Sequence, residues 1–157
     1  MKKIPVLDFL QLLVKGQDAS AFTTFLQYPT AISKTLSFDL VEILAGEAKI
    51  KLITDPLIHG NQQGTIHGGL LCELADAAIG TAHSTIIEEQ ESFASIELKI
   101  NFLRPVWNAT LVAHAKPIQS GKTLTIYQCE IKNTENKNVA VIVSTVITLR
   151  GEKAKGR

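Results

Sequence analysis

The order in which helix and strand patterns follow one another constrains this chain more than any other feature. Two apolar stretches, about 35–44 and 47–54, meet at Ala45-Gly46 and predict a hairpin. One long helical segment follows, from about Gly68 to Ile87. The remaining strands are predicted near 94–102, 109–116, 122–133 and 138–149. This order predicts an α+β fold in which an antiparallel sheet of about five to six strands wraps around one central helix, and it excludes a parallel βαβαβ sheet.

The strand predicted directly after the helix has the clearest pattern. From Ala94 to Phe102, apolar and polar residues alternate without interruption, and Pro105 is expected to close the strand. Because successive side chains of a strand point to opposite faces, the alternation predicts one apolar and one polar face. The apolar face would carry Ala94, Ile96, Leu98, Ile100 and Phe102, and the polar face Ser95, Glu97, Lys99 and Asn101.

The residues before the hairpin predict a helical extension. Apolar residues recur at helical spacing between residues 6 and 14, and Gly16 ends that run. Ser20 is a candidate cap of a second short helix, which Pro29 would stop. That helix would carry Phe22, Phe25 and Leu26. The predicted organisation is an N-terminal helical extension (1–33), one domain (34–150) and a basic flexible tail (151–157).

Composition narrows the classes of function. The 157 residues suit one domain with a real core, and 45% of them are hydrophobic. A net charge of +1 gives no electrostatic reason to expect nucleic acid or a membrane surface as a partner. Asp8 and Gln11 interrupt the apolar N-terminal stretch, so no secretory signal is expected, and no apolar run approaches the ~20 residues that span a bilayer. Cys72 and Cys129 fit no motif and predict reduced thiols, as in a cytoplasmic protein.

The start of the long helix is the first candidate functional feature. Gly68 and Gly69 stand directly before it, and glycines let another molecule approach the backbone closely. The first amides of a helix lack intrahelical partners, and the helix dipole adds partial positive charge there. Such a terminus can stabilise the oxyanion that develops when a carbonyl is attacked. The alternative interpretation is a tight turn from loop to helix with no chemical role.

Asp76 is the second candidate. Its neighbours on the helix, including Leu74, Ala75, Ala77 and Ile79, are apolar, so the carboxylate lies in a segment that otherwise looks buried. An unpaired buried carboxylate is costly, and a structural hydrogen bond or a catalytic role would each explain it.

The spacing between these two features bears on assembly. Gly68 and Asp76 are eight residues apart, which is roughly 12 Å at 1.5 Å per residue of helix. Groups that act on one carbonyl have to lie within about 3 Å of the reacting atoms. If both residues serve one reaction, they have to come from two copies of the helix related by a two-fold axis, so the catalytic interpretation predicts a homodimer with shared active sites.

The motif Asn-x2-Gly-x2-His-Gly-Gly-x4-Leu-Ala-Asp, at residues 61–76, resembles the signature of hotdog-fold acyl-CoA thioesterases related to phenylacetic acid degradation. The resemblance spans about residues 36–150. It includes the segments at 38–43, 94–105 and 120–124, which follow in the same order. It implies a hotdog fold and the hydrolysis of an acyl-CoA thioester to a free acid and coenzyme A. It also implies a dimer of dimers and no cofactor, because coenzyme A is part of the substrate.

The resemblance also implies roles for individual residues. Gly68 matches the residue whose backbone N–H polarises the thioester carbonyl, and Asn61 and His67 match the pair that shapes that end of the pocket. Asp76 of the partner subunit matches the carboxylate that attacks the carbonyl or activates water. Ser95 matches a polar residue that helps to orient the water.

Further residues are weaker candidates. Arg104 and Lys122 are candidate contacts of coenzyme A, because cations at such positions can meet its phosphates, and Gly69 is a third candidate contact. Glu73 is interpreted as a residue of the pocket rim or of the solvent-exposed surface. Three histidines outside the motif are interpreted as surface or packing residues: His59, His83 and His114.

Two other functions stay open at this point. A hotdog dehydratase or hydratase would need a histidine base with an acidic partner, and the His-Gly-Gly start followed by Leu-Ala-Asp favours the thioesterase instead. A non-enzymatic acyl-CoA-binding module could dispense with the carboxylate and would usually carry a DNA-binding attachment. The acyl group itself is open among aryl-acetyl, medium-chain and long-chain.

Overall fold

A long helix crosses one face of a six-stranded antiparallel sheet in the computed structural model, which describes residues 1–155. In chain order the elements are β1 (Lys2–Lys3), α1 (Val6–Val14), β2 (Phe22–Thr23), α2 (Ala31–Thr35), β3 (Asp39–Leu44), β4 (Glu47–Thr54), α3 (Pro56–His59), α4 (Gly68–Ser84), β5 (Ser92–Phe102), β6 (Ala109–Ser120), β7 (Leu124–Asn133) and β8 (Asn138–Leu149), followed by a 3-10 turn at Gly151–Ala154. The sheet has the strand order β3-β4-β6-β7-β8-β5. The predicted tail, 151–157, reaches residues 156 and 157, which lie outside the described part of the chain.

The predicted α+β architecture is confirmed. The hairpin β3–β4 turns at Gly46, whose φ of 74° is in the left-handed region that glycine tolerates best. The central helix begins at Gly68 as predicted and ends at Ser84, slightly before the predicted end at Ile87. Within residues 1–155, no helix is long and apolar enough to cross a membrane.

The core lies between α4 and the inner face of the sheet. The helix buries its apolar side there, with Leu74, Ala75, Ala78, Ile79 and Ala82 fully excluded from solvent. Small alanines on this side let the helix lie close to the strands, which contribute larger residues in alternation. The strand side of the core includes Leu52, Leu111, Tyr127, Ile131, Ile142 and Val146. Asp76 lies on the opposite side of α4 and is half-buried.

A β-bulge in β5 overturns the predicted faces of that strand. The pairing of β5 with β8 shifts register between Ser95 and Glu97, so Ile96 is an extra residue in the ladder. Because side chains alternate along a strand, one extra residue exchanges the two faces. Ser95 therefore lies on the side of the helix, together with Leu98 and Ile100, while Ile96 is 55% exposed. The prediction that Ser95 and Leu98 lie on opposite faces is wrong.

The second predicted N-terminal helix is also wrong. The segment after Ser20 forms the short strand β2, which pairs in parallel with β1. A helix begins only beyond Pro29, in α2, where the Thr30 hydroxyl accepts a hydrogen bond of 3.2 Å from the amide of Ser33. The physical reason is local. β-Branched Thr23 favours extended backbone, and a proline disfavours helical conformation in the residue before it.

A buried histidine joins the helix to the sheet. His83, 1% exposed, has Nδ1 at 3.1 Å from the Tyr127 hydroxyl and Nε2 at 2.9 Å from the Thr148 hydroxyl. Burial lowers the pKa of His83 to about 4, and the negative charge of Glu91 opposes this only in part. The prediction of a packing role is thus confirmed for His83.

The low pKa of His83 predicts acid-dependent stability. The unfolded chain takes up a proton near the ordinary pKa of about 6.5, whereas the folded chain resists it down to about 4. The unfolded state therefore binds more protons between these values, and the free energy of unfolding falls as the pH falls from 6.5 towards 4, by about 3 kcal/mol from this group. Urea unfolding at pH 7 and pH 4.5 should show a smaller drop in His83→Gln than in the wild type. Equal drops would contradict the prediction.

Candidate active site

The loop before α4 is organised by Asn61. Its side-chain oxygen accepts hydrogen bonds from the amides of Gln63 (2.9 Å) and Thr65 (3.2 Å), and its amide nitrogen donates to the Thr65 hydroxyl (2.9 Å). Local bonds of this kind are the ordinary way in which Asn stabilises a turn. Asn61 also lines the cleft at the helix start. In this chain its side chain therefore shapes the loop on which that cleft is built.

The start of α4 presents a free backbone donor. His67 is the N-cap, and its Nδ1 accepts a hydrogen bond of 2.9 Å from the amide of Gly69. The amide of Leu70 donates to the carbonyl oxygen of His67 at 3.0 Å. By contrast, the amide of Gly68 donates to no atom of residues 1–155. The N–H that the sequence predicted as an oxyanion donor is thus available, at the positive end of the helix dipole.

The ring of Phe102 lies against Gly68, and sequence reasoning did not identify Phe102 as a site residue. A Cβ at Gly68 would lie 2.9 Å from Cζ of Phe102, which is too close for ordinary contact. Phe102 comes from the end of β5 and is 54% exposed. No sequence signal links the two positions, because the contact depends on how the strand crosses the helix. Similarly, a Cβ at Gly69 would lie 3.0 Å from Nδ1 of His67 and would disturb the cap.

Asp76 is held by the strand that carries the bulge. The Ser95 hydroxyl donates a hydrogen bond of 2.7 Å to Oδ1 of Asp76, so one carboxylate oxygen is anchored. Both residues line an open cleft of about 400 Å³ together with Gly69, Cys72 and Glu73. The bulge is the feature that aims Ser95 at the helix, in keeping with the frequent occurrence of bulges beside active sites.

The two candidate groups lie in separate clefts. Gly68 and Asn61 line a cleft of about 360 Å³ with Phe102 and Arg104, and none of its lining residues borders the cleft of Asp76. This agrees with the separation of roughly 12 Å along one helix. Within one chain, the structure does not bring the predicted donor and the predicted carboxylate together.

The two predicted phosphate contacts are also far apart. Arg104 follows the C-terminal end of β5, and its guanidinium donates to the carbonyl oxygen of Asn138. Lys122 precedes β7. Leu124, the first residue of β7, and Ala94, near the start of β5, pair with the same residue of β8, Ile147. The length of β5 therefore separates them, and they lie at opposite ends of the sheet. Both are exposed, and only Arg104 borders a cleft described above.

Glu73 lies where the interpretation as a residue of the pocket rim would place it. It is half-buried in the cleft of Asp76, one helical turn away. Burial raises the pKa of the Glu73 carboxyl, and the negative charge of Asp76 raises it further. The spacing of three residues agrees with this position, because such pairs share a helix face.

The histidines outside the motif do not border either cleft. His59 accepts a hydrogen bond of 3.1 Å from the amide of Asp55 through Nδ1, and His114 pairs with Glu47 on the outer face of the sheet. Both cysteines are free, Cys129 in the core and Cys72 in the cleft of Asp76. Among the described residues, no group of three or more His, Cys, Asp or Glu could hold a metal ion.

Comparison with known proteins gives this arrangement a context. The sequence profile of the thioesterase superfamily matches residues 63–140. Acyl-coenzyme A thioesterase PaaI of Escherichia coli is 32% identical over 115 residues, covering 71% of this chain and 77% of PaaI. The solved structure of E. coli PaaI, from the phenylacetic acid degradation operon, gives a TM-score of 0.72 and 28% identity, covering 78% of this chain and 87% of that one.

Two further relatives extend the comparison. The 1,4-dihydroxy-2-naphthoyl-CoA hydrolase of Listeria monocytogenes is 26% identical over 124 residues, covering 78% of this chain and 98% of the hydrolase. A candidate esterase of Haemophilus influenzae is 34% identical over 86 residues, which is 54% of this chain and 62% of the length of that protein. The alignment therefore spans less than two thirds of the Haemophilus relative.

A six-stranded antiparallel sheet packed on one long helix is the hotdog arrangement, and the solved structure of PaaI shares it. This chain belongs to the thioesterase superfamily, and the resemblance inferred from the motif at residues 61–76 is confirmed. It is an enzyme of the thioesterase class.

Proposed function

We propose that this protein hydrolyses an acyl-CoA thioester, releasing a free carboxylic acid and coenzyme A. The observation that carries the proposal is the anchored carboxylate: Asp76 Oδ1 is held by Ser95 at 2.7 Å in an open cleft, in a chain of the thioesterase superfamily. The names of two relatives, an acyl-CoA thioesterase and an aromatic acyl-CoA hydrolase, support a coenzyme A thioester as the substrate.

The chemistry follows from the two groups. The Gly68 N–H donates a hydrogen bond to the thioester carbonyl oxygen and stabilises the negative charge that develops on it. Asp76 either attacks the carbonyl carbon or removes a proton from the attacking water, and the same carboxylate geometry serves both routes. With attack by Asp76, the C–S bond breaks, coenzyme A leaves as a thiolate that takes up a proton from solvent, and water then hydrolyses the mixed anhydride on Asp76 to the free acid. With attack by water, the C–S bond breaks, the proton that Asp76 has taken from the water passes to the departing thiolate, and the acyl group leaves as the free acid. No metal or organic cofactor takes part in this scheme.

A homodimer would bring the two clefts together. β5 is at the edge of the sheet, and within residues 1–155 no strand pairs with its outer side. Asp76 lies against Ser95, and Gly68 lies against Phe102. If β5 pairs antiparallel with β5 of a second copy, and Ser95 stands opposite the partner's Phe102, each Asp76 faces the partner's Gly68. Unpaired edge strands are ready templates for such pairing, and two such dimers would form the proposed tetramer.

The same pairing also bears on Arg104 and Lys122, which lie far apart within one chain. Antiparallel β5 strands place the C-terminal end of one against the N-terminal end of the other. Arg104 would then approach the end of the sheet that carries the partner's Lys122. In the proposed dimer these two residues, together with Gly69, are candidate contacts of the phosphates and chain of coenzyme A.

The rival functions fit the site less well. A dehydratase or hydratase needs a histidine base, and the histidine at the helix start, His67, is engaged through Nδ1 as the N-cap. A binding module without chemistry would have no use for a carboxylate held by Ser95. We propose a cytoplasmic location, because the free thiols of Cys72 and Cys129 suit a reducing compartment.

A panel of acyl-CoA substrates tests the proposed function. Purified full-length protein is mixed with aryl-acetyl, short-, medium- and long-chain acyl-CoAs, and release of the coenzyme A thiol is followed. We expect thiol release that depends on protein concentration with at least one class of acyl group. No release above the uncatalysed rate with any class would contradict the proposal.

Replacing Ser95 by alanine should lower kcat about tenfold. The change removes the hydrogen bond that fixes Asp76 Oδ1, while a water can take its place in part. The matched control is Ser92→Ala in the same strand, because the Ser92 hydroxyl is buried and has no hydrogen-bond partner within the described residues. Measured by steady-state thiol release, kcat of Ser92→Ala should be close to that of the wild type. A Ser95→Ala variant as active as the control would remove the anchoring role.

A further inference from the structure

The ring of Phe102 fills the space beside the free amide of Gly68. A Cβ built on Gly68 would lie 2.9, 3.0 and 3.6 Å from the ring atoms Cζ, Cε1 and Cε2, so the tip of the ring points at this residue. Carbon atoms in ordinary contact lie about 3.5–4.0 Å apart, so no further atom fits between the ring and the backbone of Gly68. Phe102 also lines the cleft of about 360 Å³ at the helix start, and 54% of its surface is exposed. The ring is therefore a wall of the cleft beside the proposed oxyanion donor.

This wall is held in position by its surroundings. Phe102 is the last residue of β5, and the next amide along the chain, that of Leu103, donates a hydrogen bond of 2.8 Å to the carbonyl oxygen of Val139. The ring cannot move further towards α4, because it is already in contact with Gly68. The same cleft is lined by Leu71, which is 3% exposed and packed in the core. A substrate group that is too bulky for this corner would therefore meet a wall that yields only at a cost.

The proposed dimer brings the partner's Asp76 to the same place. In the proposed pairing of β5 strands, Phe102 stands opposite the partner's Ser95, and the Ser95 hydroxyl of each chain holds its own Asp76 at 2.7 Å. Residues directly opposite in an antiparallel pair have Cβ atoms about 4.5–5.5 Å apart. A thioester carbonyl that is held by the Gly68 N–H and approached by the partner's Asp76 would thus have the Phe102 ring as its neighbour.

We propose that Phe102 is a specificity-determining residue that favours acyl groups with an unbranched CH2 next to the thioester carbonyl. The proposal rests on the proposed function and narrows its substrate class. Of the two groups on the carbonyl carbon, the sulfur is the same in every acyl-CoA, and the first carbon of the acyl group is the one that varies. A CH2 group presents only hydrogen atoms to the ring. A methyl branch on that carbon would press against the ring and turn the carbonyl away from the Gly68 N–H.

A pair of isomeric substrates tests this inference. One is the straight-chain acyl-CoA that the wild type hydrolyses best, and the other is its isomer with a methyl branch next to the carbonyl, for example hexanoyl-CoA and 2-methylpentanoyl-CoA. We expect kcat/KM of the wild type to be at least about 10-fold higher for the straight isomer, because one methyl group in a close-fitting pocket has an effect of this size. In Phe102→Ala the ratio should fall to about 3 or less, with Phe102→Leu in between.

The ratio separates specificity from a structural role. If Phe102 only stabilised the fold, its loss would lower both rates together and leave the ratio unchanged. The control is Trp107→Ala, because Trp107 is also 54% exposed and lines neither cleft of the proposed site. This variant should keep the wild-type ratio. A wild-type ratio close to one, an unchanged ratio in Phe102→Ala, or an equal fall in Trp107→Ala overturns the proposal.

A binding measurement tests the same residue without turnover. Each acyl-CoA is replaced by a ketone analogue in which a CH2 group separates the sulfur from the carbonyl, so that no thioester is present. Calorimetric titration of the full-length protein should give a lower Kd for the straight analogue than for the branched one, and a smaller difference in Phe102→Ala. Equal Kd values in the wild type, or binding of neither analogue, overturns the proposal. If the preference is present but no acyl-CoA is hydrolysed, the role of Phe102 stands and only the proposed function fails.

Discussion

Asp76→Asn is expected to lower kcat at least about 100-fold while leaving the fold and the oligomeric state unchanged. Asparagine is nearly isosteric with aspartate, and its side-chain oxygen can still accept the hydrogen bond from Ser95. It can neither attack a carbonyl nor take a proton from water, because its amide is neutral and very weakly basic. The loss should therefore fall on the chemical step, and steady-state thiol release with the best acyl-CoA of the panel measures it.

A matched control separates this effect from a general effect of removing charge. Asp39→Asn makes the same substitution on β3, where the carboxylate pairs with Lys51 at 2.8 Å on the surface. Exposed pairs of this kind contribute little to stability, so this variant should keep wild-type kcat. Circular dichroism and mass measurement of the oligomer complete the comparison. Retention of more than a third of wild-type kcat by Asp76→Asn would remove Asp76 from the mechanism.

Two inactive variants should restore each other's activity when their subunits are mixed. Asp76→Asn damages one half of each shared site, and Gly68→Val damages the other, since a side chain at Gly68 collides with Phe102 and crowds the helix start. In a mixed dimer one site carries both lesions and the other carries neither. Random reassortment makes about half of the dimers mixed, each with one intact site of two, so about a quarter of wild-type activity should return.

This experiment decides the architecture of the site. Subunits are exchanged under mild denaturant and returned to native buffer, and native mass spectrometry counts the mixed dimers. Each variant alone, taken through the same exchange, is the control and should stay inactive. If mixed dimers are present and the mixture remains as inactive as its parents, Gly68 and Asp76 act within one chain or not at all, and the antiparallel pairing of β5 loses its support.

Most of the fold could be predicted because it depends on the pattern of apolar, polar and turn residues within short segments. The turn at Gly46, the long helical segment of α4 and the strand segments after it each follow from neighbouring residues, and these patterns place hairpin, helix and strands in the right order. The two functional candidates on α4, Gly68 and Asp76, were found in the same way. One is the first residue of the helix, and the other is an acid in an apolar run.

The tertiary structure alone decided how the pieces of the site meet. Strict alternation assigned Ser95 to the face opposite Leu98, and only the extra residue Ile96, visible in the pairing with β8, turns Ser95 towards Asp76. A bulge depends on the register between two strands, which a single strand's sequence does not contain. The contact of Phe102 with Gly68 likewise depends on where β5 crosses α4. By itself the sequence determined which residues are chemically capable, because capability is a property of residue type and local spacing. The approach of one residue to another was decided by packing between segments that are distant in the chain.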